Sequence, residues 1–209
     1  MRARRVKRSI FLLITLLVAI PAFADSMSLT GTLATDPNDV LLISFSLSAA
    51  GSVTMQSFGY GGGTNGAGTV IAPGGFDTYF SLFTGTGASA TFLASNDDGL
   101  VFGDSMLTKS LATGGYTLAV SLFDNMSFAE NLGTGTLGDG FIGLGIDAGT
   151  TYNYAVDLVF DPGKLTVTDV HRLSDTVAPV PEPSGAFLLG TVGLALLVFR
   201  KIRRTAAAG

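Results

Sequence analysis

The sequence predicts an all-β domain, an antiparallel β-sandwich, held between two terminal segments of a different kind. Three observations predict it. Short β-rich runs recur between clusters of turn residues, and several of them alternate with a period of two. The chain holds 28 glycines and no cysteine, so its turns are cheap and no disulfide staples them. Nine of the twelve basic residues lie at the two ends, and only Lys109, Lys164 and Arg172 lie between.

The strand candidates follow in order: Met27–Leu33, Val40–Leu47, Ser52–Phe58, Thr78–Phe83, Ala90–Ala94, Ser105–Leu111, Tyr116–Phe123, Tyr152–Phe160 and Lys164–Thr168. Leu41, Ile43, Phe45 and Leu47 alternate with Leu42, Ser44, Ser46 and Ser48, which places the first set on one buried face. Leu118, Val120 and Leu122 alternate with Thr117, Ala119 and Ser121. Tyr154, Val156, Leu158 and Phe160 alternate with Asn153, Ala155, Asp157 and Val159. Several such strands favour an antiparallel sandwich with one wet face per sheet. Almost no helix is expected between Asp25 and Val180. Residues 59–68 read as a flexible glycine loop, and 131–149 as a long loop with one weak strand. No Gly-Lys-Ser/Thr follows the first loop, so it is not a phosphate cradle.

The N-terminus carries Arg2, Arg4, Arg5, Lys7 and Arg8, then an apolar run from Ile10 to Ile20, then Ala22-Phe23-Ala24. Charge, run length and the small-x-small exit at Ala22 and Ala24 predict a secretory signal peptide over 1–24, cut before Asp25 by signal peptidase after general secretion. The competing reading is an N-terminal anchor, for which the run is short. The organisation expected beyond it is an exported domain over 25–177, a proline-rich linker over 178–183, a membrane helix over 184–199 and a basic tail over 200–209. Ser184 to Phe199 is sixteen residues, roughly 24 Å of helix at about 1.5 Å per residue. That is thin against a hydrocarbon core of about 30 Å. Flanking basic side chains extend the span by snorkelling and keep the tail cytoplasmic.

All sixteen acidic residues lie between Asp25 and Glu182. The exported part is therefore strongly acidic, although the whole chain carries only −4. Such a surface repels nucleic-acid phosphates and excludes a nucleic-acid partner. It suits solubility and divalent cations.

Residues 74–124 hold the only site-like chemistry. Asn96, Asp97 and Asp98 sit side by side in a loop ended by Gly99, Asp77 precedes one flanking strand and Asp104 the next. Hard oxygen ligands gathered at one edge are what Ca²⁺ requires. The same Asn-Asp-Asp-Gly run is equally a self-capping turn. Gly103-Asp104-Ser105-Met106 resembles the start of the GDSL-type esterases, and that resemblance implies Ser105 as nucleophile with Asp169 and His171 as its partners; otherwise His171, the only histidine, reads as a solvated surface residue beside the linker.

Two further resemblances organise these observations. Pro181-Glu182-Pro183, the short apolar run and the cluster Arg200, Lys201, Arg203 and Arg204 resemble the PEP-CTERM sorting signal. That resemblance implies recognition by an exosortase, removal of the tail, and a Gram-negative bacterium that makes exopolysaccharide. An ordinary tail anchor is the alternative. Gly75-Phe76-Asp77-Thr78, Ser95-Asn96-Asp97-Asp98 and Gly114-Gly115-Tyr116 resemble the bacterial pre-peptidase C-terminal domain. This second resemblance implies a small jelly-roll-like sandwich and an accessory module without catalysis; Gly114-Gly115-Tyr116 departs mildly from its usual turn. The expectation is a non-enzymatic envelope or matrix protein associated with exopolysaccharide, anchored transiently in the inner membrane and then released to the envelope or beyond. The alternatives are a carbohydrate-binding module, with Tyr60, Tyr79 or Tyr152 exposed to stack on sugars, and a secreted hydrolase.

Overall fold

A computed structural model describes residues 25–176 except 34, 147, 148, 150, 162 and 163. The segment expected to be a signal peptide, with Ala22 and Ala24, the proline-rich segment, the apolar run and the basic tail lie outside the described residues. Eleven strands are present: β1 (Asp25–Thr32), β2 (Leu41–Leu47), β3 (Gly51–Ser57), β4 (Gly63–Thr64), β5 (Val70–Ile71), β6 (Thr78–Thr84), β7 (Thr91–Asn96), β8 (Met106–Leu111), β9 (Gly114–Leu122), β10 (Asn153–Asp161) and β11 (Leu165–Arg172). Two single-turn helices, α1 (Phe128–Asn131) and α2 (Leu173–Thr176), and a 3₁₀ turn at Leu137–Asp139 complete them.

The strands form a four-stranded sheet in the order β1-β10-β3-β8 and a five-stranded sheet in the order β11-β2-β9-β6-β7, while β4 and β5 make a small hairpin. Every pairing is antiparallel. With the hairpin and β11 set aside, eight strands remain. The first pairs with the eighth, the second with the seventh, the third with the sixth and the fourth with the fifth. One long hairpin has in effect been rolled into two sheets.

The core lies between them. Leu41, Ile43, Phe45 and Leu47 of β2, Leu118, Val120 and Leu122 of β9, and Phe80 and Leu82 of β6 meet Val53 and Met55 of β3 and Val156, Leu158 and Phe160 of β10 in one cluster. The period-two pattern therefore selects the core face correctly on β2, β9 and β10. All nine strand candidates correspond to strands, and the antiparallel all-β architecture is as expected.

The outer faces differ from expectation. Alternation places Thr117, Ala119, Ser121, Ala155 and Asp157 toward water, yet all are buried. The two glycine-rich segments are the reason. The β4–β5 hairpin folds back over the four-stranded sheet, where Gly66 N donates to Asp157 Oδ2 at 2.6 Å and Ala67 N to Ser28 Oγ at 3.1 Å. The connection after β9 crosses the five-stranded sheet, and Ala129 and Leu137 join Val40, Leu42, Phe83, Ala90 and Ala119 in a second apolar cluster. Small side chains on those outer faces let backbone approach closely. What reads as flexible loop is covering layer.

The strand ends sort the connections. Arg172 pairs with Leu41, Leu41 with Val120, Thr78 with Leu122, and Phe80 with Asn96. One end of the sandwich therefore carries the long connections 33–40, 58–77, 97–105 and 123–152, and β11 leaves there. The other end carries Asp25 and the short turns at 48–50 and 112–113.

Leu158 is fully buried, so Leu158→Ala should cost about 2–5 kcal/mol by lost transfer energy and a residual cavity. Val170 on β11 is 38% exposed, and Val170→Ala should change stability by no more than about 0.5 kcal/mol. Urea unfolding of the two variants beside the parent measures the difference, and equal losses would contradict this placement of the core.

Candidate functional site

The acidic loop closes the end of the sandwich where β7 crosses to β8, and its polar atoms are mostly engaged. Asp104 is buried. Its carboxylate accepts hydrogen bonds from Ser57 Oγ at 3.0 Å, Tyr60 N at 3.1 Å and Gly61 N at 2.8 Å. It thus pins the start of the glycine-rich segment to the end of β3. Ser57 gives its proton to Asp104, so the Thr78 hydroxyl, 2.7 Å away, donates to Ser57. Ser105 N then donates to both hydroxyls, at 2.8 and 2.9 Å. The Ser105 hydroxyl donates to Thr78 O at 2.6 Å and to Asp97 O at 3.0 Å. One buried knot joins β3 of the first sheet to β6 of the second.

The rest of the loop is a self-satisfied turn. Asn96 Nδ2 donates to Asp98 O and to Met106 O, both at 2.6 Å, and Gly103 N donates to Asp98 Oδ1 at 3.2 Å. Gly103 has φ +80°, and a Cβ there would lie 2.5 Å from Tyr60 Cδ1. Any side chain would therefore break this turn.

Asp77 is the exception. It is 7% exposed, and its carboxylate accepts no hydrogen bond among the described residues. Burial first, then the charges of Asp98, Asp97, Asp104 and Asp124, push its pKa up to about 6. Asp124, with φ +65° just after β9, joins the acidic group that sequence reasoning assembled. Its position depends on β9 pairing with β6, which no local pattern reveals.

The calcium expectation at Asp77, Asn96, Asp97, Asp98 and Asp104 gains no support from this geometry. No group of three or more acidic or histidine side chains is arranged to hold a metal among the described residues. Asn96 presents its amide as a donor, and the Asp104 oxygens face N–H and O–H donors. The turn reading of the loop is the one that its hydrogen bonds fit.

The serine–histidine pairing is likewise not assembled. Ser105 is fully buried in the knot beside β6. His171 lies on β11, with β2 and β9 between β11 and β6, and its Nδ1 is 2.7 Å from Asp169 Oδ2. The tyrosine expectation needs correction too. Tyr79 is buried, and its hydroxyl donates to Glu130 Oε1 at 2.6 Å. The Ser95 hydroxyl donates to the same oxygen, while Glu130 Oε2 is buried without a partner among the described residues. Tyr60 and Tyr152 are half-buried. Tyr79 therefore offers no open ring to a sugar, and the other two are only partly exposed.

Sequence reasoning did not find a cavity over the five-stranded sheet. It measures about 330 Å³ and lies between the five-stranded sheet and its covering segment, lined by Leu42, Ser44, Thr117, Leu137, His171 and Leu173 among others. Its walls are mostly apolar, and its polar groups are the Ser44 and Thr117 hydroxyls and the imidazole. Asn125 locks the covering segment down: its Nδ2 donates to Asn38 O at 3.1 Å, and its Oδ1 accepts from Gly143 N at 2.9 Å. Asn125 is fully buried, so Asn125-Met126-Ser127, although it matches the Asn-x-Ser pattern of a glycan acceptor, cannot accept a glycan in the folded protein. Comparison of the chain with models of known families and with curated proteins finds no match in either.

Asp77 sets a pH dependence. Its folded pKa is raised, so between about pH 4 and 6 the folded protein keeps a proton that the unfolded chain has released. This contribution to stability is complete below that window and is lost as pH rises through it. Asp77→Asn should flatten the slope and be more stable at pH 7, by up to about 3 kcal/mol at about 1.4 kcal/mol per pKa unit. Melting curves from pH 4 to 7 test this, and an unchanged slope in the variant would refute it.

Ca²⁺ and Mg²⁺ at matched ionic strength should raise the melting temperature equally, by screening alone. They should do so both in the parent and in Asp97→Ala/Asp98→Ala. A calcium-specific rise confined to the parent would reinstate a metal site in the loop.

Proposed function

We propose that the chain is an exported, non-enzymatic envelope or matrix protein, delivered by general secretion, held briefly in the inner membrane and sorted by an exosortase-type enzyme. Its sandwich is jelly-roll-like, a reading supported by the nested strand pairing. The observation that carries the proposal is the segregation of the sequence. A basic, apolar, small-x-small leader and a Pro-Glu-Pro, apolar, basic tail flank a body with sixteen acidic residues, if Glu182 of the motif is counted, and three basic ones. Each end has the order of parts that a translocation signal or a sorting signal needs. Exopolysaccharide is the proposed associate, and the acidic body keeps the released domain soluble within it. The commitment of Asp104, Ser105 and Asn96 to holding loops together is consistent with a structural rather than a chemical role for that segment.

A carbohydrate-binding module is the second reading. One observation favours it: the cavity at Ser44, Thr117 and His171 falls at the small end of the range for ligand pockets. Glycan-array binding by the parent, lost in a cavity-filling Ser44→Phe variant that still folds, would move this reading to first place.

The sorting proposal predicts that protein isolated from its host has lost the chain from about Leu188 onward, with the cut near Pro181–Pro183. Intact-mass measurement decides it. A mature protein that keeps Leu188–Gly209 at its final location would leave a plain tail anchor.

A further inference from the structure

The loop that the buried knot anchors also carries an unexplained apolar tip. Leu100, Val101 and Phe102 are consecutive and 87%, 48% and 71% exposed. Single exposed apolar residues are ordinary on a protein surface, but a run of three at the tip of one loop is not. Nor is the tip loose. Gly103 N is bound to Asp98, the Tyr60 ring packs edge-on against Phe102 with centroids 6.4 Å apart, and the residues on either side are tied into the knot. The loop spends its polar groups on holding three apolar side chains outward.

The position of the tip identifies what covers it. β11 ends at Arg172 at the same end of the sandwich, and the described chain leaves there through α2. Seven residues, 177–183, separate Thr176 from the apolar run that begins at Ser184. Stiffened by three prolines at about 3.1 Å per residue, they reach roughly 22 Å. The opposite end, with Asp25 and the short turns, is a full strand length farther from the tether.

We propose that the Leu100–Val101–Phe102 tip is a membrane-docking surface: while the chain is tethered, the tip inserts into the interfacial layer of a phospholipid bilayer. This rests on the proposed insertion of residues 184–199. Asp97 and Asp98 flank the tip, so the surface selects zwitterionic headgroups and is repelled by anionic ones. Docking sets the sandwich on end, with its loops against the bilayer and Asp25 pointing away.

The natural chain has no tryptophan, so Phe102→Trp makes a sole reporter at the tip. Thr113→Trp, in an exposed turn, makes one at the far end, and Leu100→Trp is a second tip reporter should the first be poorly folded. The chain from Asp25 to Gly209, without the apolar leader, is reconstituted into phosphatidylcholine vesicles whose acyl chains carry bromine, and flotation is read first. The expected result is that all variants float, that emission from the tip reporters shifts to the blue and is quenched by bromine, and that the far reporter is quenched only by aqueous iodide. Adding phosphatidylglycerol should weaken the bromine quenching. Chains that float with the tip as open to iodide as the far turn would overturn docking and leave the anchor standing. Chains that fail to float would remove the anchor, and docking with it. A blue shift that appears without vesicles and grows with protein concentration would assign the tip to a second copy of the chain and overturn the proposal.

Discussion

The arrangement turns on a buried knot of four short polar side chains, Ser57, Thr78, Asp104 and Ser105. An apolar core gives two sheets a reason to face one another but little preference for how their loops close. The knot supplies that preference. Its hydrogen bonds run from β3 in one sheet to β6 in the other, and from there into both the acidic loop and the glycine-rich segment. Hydrogen bonds to a charged acceptor are in general worth about 1.5–3 kcal/mol each, more than neutral ones, and the Asp104 side chain accepts three hydrogen bonds. Removing that side chain would take from Tyr60 N and Gly61 N the acceptor that holds the start of the glycine-rich segment in place. Burial of the knot is what makes it selective, since an unmatched donor there has no water to turn to.

The strands were legible because period two is a local property. Leu41 to Leu47 and Tyr154 to Phe160 each show their core face within a few residues. The covering layer was not legible, because glycine-rich chain reads as loop whether it floats or lies flat on a sheet. A signal was nonetheless present. Thr117, Ala119 and Ser121 on β9, and Ser44 on β2, are small for a solvated face, which usually carries long charged side chains. Runs of small residues opposite a core face admit a second layer of backbone. The deep burial of Asn125 follows from this layer, as does the cavity beside His171.

The acidic segment shows the reverse limit. Composition brought Asp77, Asn96, Asp97, Asp98 and Asp104 together correctly as neighbours, and Asp77 does feel the charges of the other three aspartates. Composition does not say which way an amide or a carboxylate points. Asn96 turns its nitrogen to two carbonyls, and Asp104 turns its oxygens to backbone N–H groups. A set of ligands on paper becomes a set of turn-makers once the backbone competes for the same lone pairs. Asp124 arrives from a distant part of the chain, and only the β6–β9 pairing brings it near.

The described chain begins at one end of the sandwich and leaves at the other. A pull between the two therefore runs along the strands. β11 would have to slide past β2, and β1 past β10, with all the rungs of each ladder loaded together. A hairpin pulled from a single end would open one rung at a time. Resistance to such a load is set by the rate of unfolding more than by equilibrium stability. A domain fixed at its exit and dragged at its far end would thus meet the force in its stiffest direction, without a disulfide in the chain.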